Sequence, residues 1–182
     1  MTAPEAPAPL IRTATDADLD AVAAIYAHYV EHTVVTFDET PPPVSFWRTR
    51  LADLSARGLP FLVAEDAGRI AGYAYASPWR PKPAYRHSVE NSVYLSPEHT
   101  GRGLGGSLME ALLASCAAAG VHQMIAVVAD SGTAASFALH RRLGFTEAGR
   151  LRAVGHKHGR RLDTVLLQRT LPAGEEGGES AQ

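Results

Sequence analysis

The chain of 182 residues contains a single cysteine, Cys116, and only two lysines, Lys82 and Lys157. One cysteine excludes an internal disulfide framework and any Cys-x-x-Cys metal or redox site. No apolar run approaches the roughly 20 residues that span a bilayer, and the first residues do not have the pattern of a signal peptide. The formal net charge of −2 argues against a nucleic-acid-binding or anionic-membrane-binding surface. We therefore expect a cytoplasmic protein with no nucleic-acid or membrane partner.

Length and composition predict a single globular domain. The chain is 46% hydrophobic and 20% charged, which is ordinary for a protein with one buried core. Its length exceeds the roughly 150 residues of a typical domain by little more than the two ends. Residues 1–9 are rich in Pro and Ala, and residues 172–182 lack apolar content, so both are predicted to be disordered tails. The predicted domain covers residues 10–171.

Hydrophobic periodicity and turn residues predict seven strands and four helices. The predicted strands are Leu10–Thr13, Pro60–Glu65, Ile70–Ala76, Ser88–Leu95, Gln123–Ala129, Phe145–Val154 and Leu162–Leu171. The predicted helices run from Leu19 to about His32, over Ser45–Arg57, onward from Gly101–Gly106, and over Thr133–Leu143. Because strands and helices do not alternate strictly, we expect a mixed α/β fold with helices on both faces of one sheet.

The most specific local pattern is the run Gly101-Arg-Gly-Leu-Gly-Gly106 at the start of an amphipathic helix. Glycines let the backbone approach a ligand closely, and the free N–H groups of a helix start favour an anion such as phosphate. A dinucleotide-binding fold is not favoured, because residues 96–100 separate the preceding strand from the first glycine. A nucleotide P-loop is excluded because no Gly-Lys-Ser/Thr follows. The alternative is a glycine turn that only starts a helix.

Several motifs together resemble one family. The strand Val93-Tyr-Leu95 is followed by Ser-Pro-Glu-His and then Gly101-Arg-Gly-Leu-Gly-Gly-Ser-Leu-Met109, and residues 134–145 read AASFALHRRLGF. This order resembles the acetyl-CoA-binding core of the GNAT N-acetyltransferase superfamily. Further segments resemble its phosphinothricin and methionine-sulfoximine N-acetyltransferases; these are Thr33–Phe37 with Pro41, Gly72–Tyr85, Glu90–Leu95 and Arg152–Gly159. The resemblance implies a mixed α+β fold with a seven-stranded, splayed sheet, and a homodimer.

The same resemblance implies which residues bind acetyl-CoA. They are Val93, Tyr94 and Leu95 along the pantetheine arm, Gly101, Arg102, Gly103, Leu104, Gly105 and Gly106 around the pyrophosphate, and Thr133 and Ser136 in the last helix. Two positions depart from the family pattern. Thr100 stands where the family often has Gln or Arg, and Thr133 stands where it usually has Asn. Both departures allow a weaker affinity for acetyl-CoA.

Glu90 is the candidate general base. In the strand Ser88–Leu95 it points to the same side as Ser92 and Tyr94, and a carboxylate in so apolar a strand is costly unless it is paired or used. Burial would raise its pKa and make it a better base near neutral pH. The alternative is a solvated glutamate or one paired with Arg86. The family resemblance places the catalytic glutamate at this position.

His140 is the candidate proton donor to the leaving thiolate. Many members of the superfamily carry a tyrosine near the start of the last helix, and the resemblance puts His140 in the comparable place. A histidine can give up a proton there directly or through water. A helical histidine beside Leu139 and Leu143 can equally be a packed or capping residue. The oxyanion is expected to be stabilised by a backbone N–H of the strand Val93–Leu95.

The loop Trp79–Tyr85 is the candidate acceptor-binding segment. Its prolines stiffen it, and Arg80 and Lys82 could hold a carboxylate or phosphinate. By resemblance, Phe37 and Tyr85 line the acceptor pocket, and His156-Lys157-His158 face that pocket or a partner subunit. The alternative is a solvated loop with two ordinary cations.

No metal site is expected. His28 and His32 lie one helical turn apart, but the sequence offers no third ligand. Cys116 shares the apolar face of its helix with Leu112 and is expected to be a core residue.

The resulting hypothesis is an acetyl-CoA-dependent N-acetyltransferase that acts on the α-amine of an amino acid such as phosphinothricin, methionine sulfoximine or methionine sulfone. Detoxification and herbicide resistance follow from the resemblance alone. Two alternatives stay open: an N-acetyltransferase for another small amine or amino acid, and a non-catalytic acyl-CoA-binding protein.

Overall fold

Seven strands and four α-helices are present in residues 8–132 and 134–172, the part of the chain that the computed structural model describes. The strands are β1 (Leu10–Thr13), β2 (Phe61–Asp66), β3 (Arg69–Pro78), β4 (Ser88–Leu95), β5 (Gln123–Ala129), β6 (Thr146–Lys157) and β7 (Arg160–Thr170). The helices are α1 (Leu19–His32), α2 (Val44–Ala56), α3 (Leu104–Ala118) and α4 (Ala135–Arg142). The predicted tails fall almost entirely, and Thr133 entirely, outside the described residues.

All seven strands form one sheet with the order β1-β2-β3-β4-β5-β7-β6. Every neighbouring pair is antiparallel except β4 and β5, which are parallel and pair only from Ser88–Glu90 to Gln123–Ile125. Beyond Glu90 the two strands part, so the sheet consists of two halves joined along three residue pairs. The expected mixed, splayed seven-stranded sheet is confirmed.

The two faces of the sheet carry different cores. Helices α1 and α2 cover an aromatic core in which Trp47 packs edge-on against Tyr26 and Tyr73, with ring centroids 5.2 and 5.6 Å apart. Helix α3 covers an aliphatic core on the opposite face. Full burial of one such side chain stabilises the fold by about 1.5–3 kcal/mol. The sheet is therefore covered by helices on both faces, as expected.

Cys116 lies in the aliphatic core, as expected. It is fully buried on the face of α3 that also carries Leu108 and Leu112. Burial raises the pKa of its thiol to about 12, so the reactive thiolate is disfavoured.

Strand β6 differs from its predicted course. The prediction ended the strand at Val154, but it continues to Lys157 after a register shift between Leu151 and Gly155. In the bulge, Ala153 has a φ of +51° and its N–H donates to Asp163 Oδ1 at 2.8 Å. The bulge interrupts the alternation of buried and exposed residues, which is the signal used to bound a strand.

Smaller differences lie at other element ends. Helix α4 is shorter than the predicted Thr133–Leu143, and β3 extends two residues beyond the predicted Ala76 to Pro78. Proline is tolerated at the end of a strand because it needs to donate no ladder hydrogen bond there. The first turn Asp16–Asp18 is a 3₁₀ helix that begins with a capping box between Thr15 and Asp18.

Candidate active site

A cavity of about 440 Å³ opens where β4 and β5 part. It reaches from Glu90, beside the last β4–β5 pair, to the glycine loop before α3 and to one side of α4. Eight of the predicted site residues line it: Glu90, Val93, Tyr94, Leu95, Gly101, Gly105, Ser136 and His140. The catalytic and acetyl-CoA-binding candidates therefore converge on one cavity, although they come from separate parts of the sequence.

Glu90 is half-buried at the point where the strands separate. Burial raises the pKa of its carboxyl group above the usual value, and the positive charges of Arg80 and Arg50 oppose that rise. The cations that act on Glu90 are these two, rather than the Arg86 of the alternative interpretation. A carboxyl group with a raised pKa on a cavity wall is suited to accept a proton near neutral pH.

His140 is 2% exposed and both of its ring nitrogens are engaged. Nδ1 lies 2.8 Å from the carbonyl oxygen of Ser136, and Nε2 lies 3.0 Å from the side-chain nitrogen of Asn91. A carbonyl oxygen can only accept and an amide nitrogen can only donate, so Nδ1 carries the proton and Nε2 accepts. Burial lowers the pKa of His140, with the bond to Ser136 opposing, which favours this neutral ring.

The glycine loop presents free backbone donors to the cavity. Gly103, the N-cap residue of α3, has a φ of +79°, a left-handed conformation that favours glycine. The first bond of the helix joins the N–H of Ser107 to Gly103 O at 3.2 Å. The N–H groups of Leu104, Gly105 and Gly106 therefore have no partner within the helix, and they suit a phosphate.

The side chains of Thr100 and Arg102, which the sequence offered near the cofactor, have partners outside the glycine loop. Thr100 Oγ1 donates to the carbonyl oxygen of Pro97 at 3.1 Å, so it caps the preceding 3₁₀ turn. The Arg102 guanidinium lies 3.7 Å from Asp66 in the β2–β3 turn and is 63% exposed. An anion at the start of α3 would therefore meet backbone N–H groups rather than a fixed side-chain cation.

The edge of β4 that faces the cavity has backbone groups to offer a ligand. Within the described residues, β4 has no strand partner on this side beyond Glu90. At its end, the carbonyl oxygen of Leu95 accepts a hydrogen bond of 2.6 Å from the Tyr29 hydroxyl. The edge between Glu90 and Leu95 is thus the place where an extended amide-containing ligand can pair with the strand.

The predicted acceptor residues are divided between two other places. Arg80, Lys82 and Tyr85 line a second, basic groove of about 670 Å³ formed largely by residues 78–87. The Arg80 guanidinium stacks over Trp79 at 4.8 Å from the ring centroid, and it is still close enough to act on Glu90. Phe37 does not line the cavity; its ring packs against Gly155.

The part of the chain that the structure describes contains no cluster of three or more His, Cys, Asp or Glu side chains arranged to hold a metal ion. The rings of His28 and His32 lie 5.0 Å apart without a third ligand. No described helix is long and apolar enough to cross a membrane.

Comparisons with known proteins agree with this geometry. Residues 11–166 match the acetyltransferase (GNAT) domain family. The chain belongs to the GNAT acetyltransferases. The phosphinothricin N-acetyltransferase of Alcaligenes faecalis is 47% identical over 165 residues, which cover 91% of this chain and 84% of that protein. The L-methionine sulfoximine/L-methionine sulfone acetyltransferase of Pseudomonas aeruginosa is 42% identical, covering 88% of this chain and 94% of that protein.

A solved structure has the same fold. The phosphinothricin acetyltransferase of Sinorhizobium meliloti, in complex with AcCoA, superposes with a TM-score of 0.87 at 43% identity. The match covers 94% of this chain and 93% of that one. The predicted fold and the predicted enzyme class, a GNAT acetyltransferase, are thereby confirmed.

Three residues of this GNAT site were missed by the sequence analysis. Arg50 acts on Glu90 from α2, Asn91 binds His140, and Tyr29 binds the end of β4. Tyr29 follows the helical period of α1, so its spacing indicated only a core position. Asn91 stood next to the candidate base, and a buried amide in a strand is the signal that could have identified it.

Proposed function

We propose that this enzyme transfers the acetyl group of acetyl-CoA to the α-amine of a small amino acid such as phosphinothricin, methionine sulfoximine or methionine sulfone. The observation that carries the proposal is the position of Glu90, whose carboxyl group of raised pKa lies at one end of a cavity that the glycine loop closes at the other. The substrates named for the relatives at 42–47% identity support the choice of acceptor.

The cavity fits acetyl-CoA. The free N–H groups at the start of α3 suit its pyrophosphate, and the unpaired edge of β4 at Val93–Leu95 suits its pantetheine amides. Acetyl-CoA supplies an acyl group activated as a thioester. Ser136 and Thr133 complete the proposed cofactor-binding set.

Glu90 acts as the general base in this proposal. The α-amine of an amino acid is mostly protonated at neutral pH and must lose a proton before it attacks. Glu90 accepts that proton on the side of β4 that faces α1 and α2. A backbone N–H of Val93–Leu95 stabilises the oxygen that becomes negative.

His140 acts as the proton donor to the leaving thiolate. It lies on the opposite side of β4 from Glu90, because it binds the neighbouring residue Asn91, whose side chain points the other way. The two groups therefore approach the acetyl group from opposite sides. For this step the ring takes up a proton from water at Nε2 while Asn91 turns its amide oxygen towards that nitrogen, and the ring then passes the proton to the thiolate. His140→Gln should lower kcat, and an unchanged kcat would remove His140 from the mechanism.

The acceptor's carboxylate is held by cations around Glu90. Arg80 provides this contact, and Lys82 and Tyr85, which line the same groove, complete the acceptor side. We further propose that the enzyme is a cytoplasmic homodimer, with the exposed apolar residues Leu151 and Val154 of the β6 bulge in the subunit contact. Its purpose would be detoxification, which confers resistance to a herbicide of the phosphinothricin type.

The test is CoA release by the purified protein with acetyl-CoA and a panel of free amino acids. The panel contains methionine sulfoximine, methionine sulfone, phosphinothricin and the ordinary amino acids. Turnover confined to the three analogues supports the proposal. Turnover of other amines alone favours a different acceptor, and acetyl-CoA binding without CoA release favours a non-catalytic binder.

A further inference from the structure

The loop between α1 and α2, residues 33–43, forms one wall of the active-site cavity. Val35 lines the cavity together with Glu90 and Tyr29. The residues on either side of it are buried: Val34 is 7% and Thr36 is 8% exposed. The position of Val35 therefore depends on how its neighbours are fixed.

Hydrogen bonds and ring contacts connect one side of this loop to the half of the sheet that contains β4. The Tyr26 hydroxyl lies 2.6 Å from Thr36 Oγ1 and donates to Asp38 Oδ2 at 2.6 Å. The Tyr26 ring packs edge-on against Tyr94 of β4, with centroids 5.1 Å apart. These contacts join the loop to α1 and β4.

The other side of the loop contacts β6, which belongs to the half of the sheet that contains β5. The Lys157 ammonium donates to the carbonyl oxygen of Thr36 at 2.9 Å, and the residue is only 2% exposed. Two residues earlier, Gly155 accommodates the ring of Phe37 so closely that a Cβ there would lie 2.4 Å from two ring atoms. The loop thus bridges the two halves where β4 and β5 no longer pair.

A buried lysine at position 157 is unfavourable unless its hydrogen bond to Thr36 serves a purpose. Burying an ammonium group is costly, and burial lowers the pKa of Lys157 while the charges of Asp38 and Glu39 oppose the change. An apolar side chain of similar length would fill the same space without that cost. Such a side chain could not donate a hydrogen bond to the carbonyl oxygen of Thr36.

We propose that Lys157 is a positioning residue for the acceptor: by holding Thr36 against β6, it sets the place of Val35 and the width of the cavity on the side where the amine enters. The proposal rests on the proposed function for the identity of that side. It assigns Lys157 no contact with the reacting atoms. It predicts that loss of this bond disturbs acceptor binding and leaves the glycine loop, on the far side of the cavity, intact.

The test compares Lys157→Met with Arg161→Met, which removes one exposed positive charge from the same hairpin. Lys157→Met should raise the KM of methionine sulfoximine about ten- to a hundredfold, the scale of one lost charged hydrogen bond. The Kd of acetyl-CoA, measured by calorimetry, should stay within about twofold, because the glycine loop is left intact. General damage to the protein would instead change both constants. Arg161→Met should change neither.

A second variant keeps the proposal testable if Lys157→Met does not fold. Gly155→Ala leaves Lys157 in place but displaces Phe37, so it should show the same separation of acceptor KM from acetyl-CoA Kd. Equal changes in the two constants, or an unchanged acceptor KM, overturn the proposal.

Amide hydrogen exchange of residues 33–40 gives a readout that needs no turnover. Exchange should be faster in both variants than in the wild type and in Arg161→Met. Unchanged exchange overturns the proposal even if activity falls. If the wild type acetylates none of the panel, the proposed function fails separately, and the exchange rates alone decide whether Lys157 holds the loop.

Discussion

The two ends of the active-site cavity are built in different ways. At the end where we propose that acetyl-CoA binds, the groups available to a ligand are backbone N–H groups at the start of α3 and the free edge of β4. At the proposed acceptor end, they are side chains from separate elements: Glu90 from β4, Arg80 from the loop after β3, and Arg50 from α2. One end is a local backbone conformation, and the other is a convergence of distant residues.

This difference explains what each end can tolerate. A backbone site depends on glycines and a helix start, so it can keep its chemistry while the side chains around it change. A side-chain site changes its ligand when one residue changes. Relatives in one family can therefore share acetyl-CoA and differ in the amine they accept. The following predictions separate the two ends, from the largest expected effect to the smallest.

Glu90→Gln should lower kcat by about 10²–10⁴, the usual contribution of a general base. The Kd of acetyl-CoA should stay unchanged, because the glycine loop lies at the other end of the cavity. Steady-state kinetics and calorimetry measure the two quantities. Glu110→Gln, at an exposed position of α3, is the matched control. Near-wild-type turnover in Glu90→Gln would mean that another group takes the proton.

Gly103→Val should raise the Kd of acetyl-CoA by about ten- to a hundredfold, since a β-branched residue at a φ of +79° distorts the anion site. Gly58→Val is the control, because Gly58 has a similar φ of +66° at the end of α2, outside the cavity. Both variants should lose stability by thermal denaturation, but only Gly103→Val should lose acetyl-CoA affinity. Equal affinities in the two variants would contradict a backbone-built site.

Arg80→Ala should raise the acceptor KM about tenfold and leave that of acetyl-CoA nearly unchanged, because Arg80 acts at the Glu90 end. Arg86→Ala, from the same groove, is the control. If both Michaelis constants rose equally in Arg80→Ala, the substitution would have damaged the loop in general.

The pH dependence of kcat/KM should depend on the positive charges near Glu90. Only the carboxylate form of Glu90 can accept a proton, so activity should rise with pH through the raised pKa of this group. Arg50 favours the carboxylate, and Arg50→Met should therefore move this rise to higher pH. A profile of Arg50→Met that coincides with the wild type would show that Arg50 does not act on the base.

The difference between local backbone patterns and contacts of distant residues also decided how much of the molecule the sequence could predict. Periodicity located all seven strands and four helices, and the run Gly101–Gly106 predicted the glycine loop at the start of α3, because both are local patterns. The face of β4 that carries Glu90 also followed from alternation alone.

What could not be predicted depends on contacts between distant residues. Arg50 is 40 positions from Glu90 in the sequence and reaches it only because α2 packs on that face. The ring of Phe37 lies against Gly155 of β6, a contact between distant residues that no local pattern predicts. Lys157 followed the bulge in β6 that ended the predicted strand, so its burial was invisible to the pattern.

The most direct test of the account is to identify the product made from acetyl-CoA and methionine sulfoximine, which has both an α-amine and a sulfoximine nitrogen. Fragmentation by mass spectrometry locates the acetyl group, and the wild type and Glu90→Gln are compared under one set of conditions. The account predicts acetylation of the α-nitrogen with one CoA released per product, and a rate in Glu90→Gln lower by about 10²–10⁴. Acetylation of the other nitrogen, or equal rates in the two proteins, would contradict it.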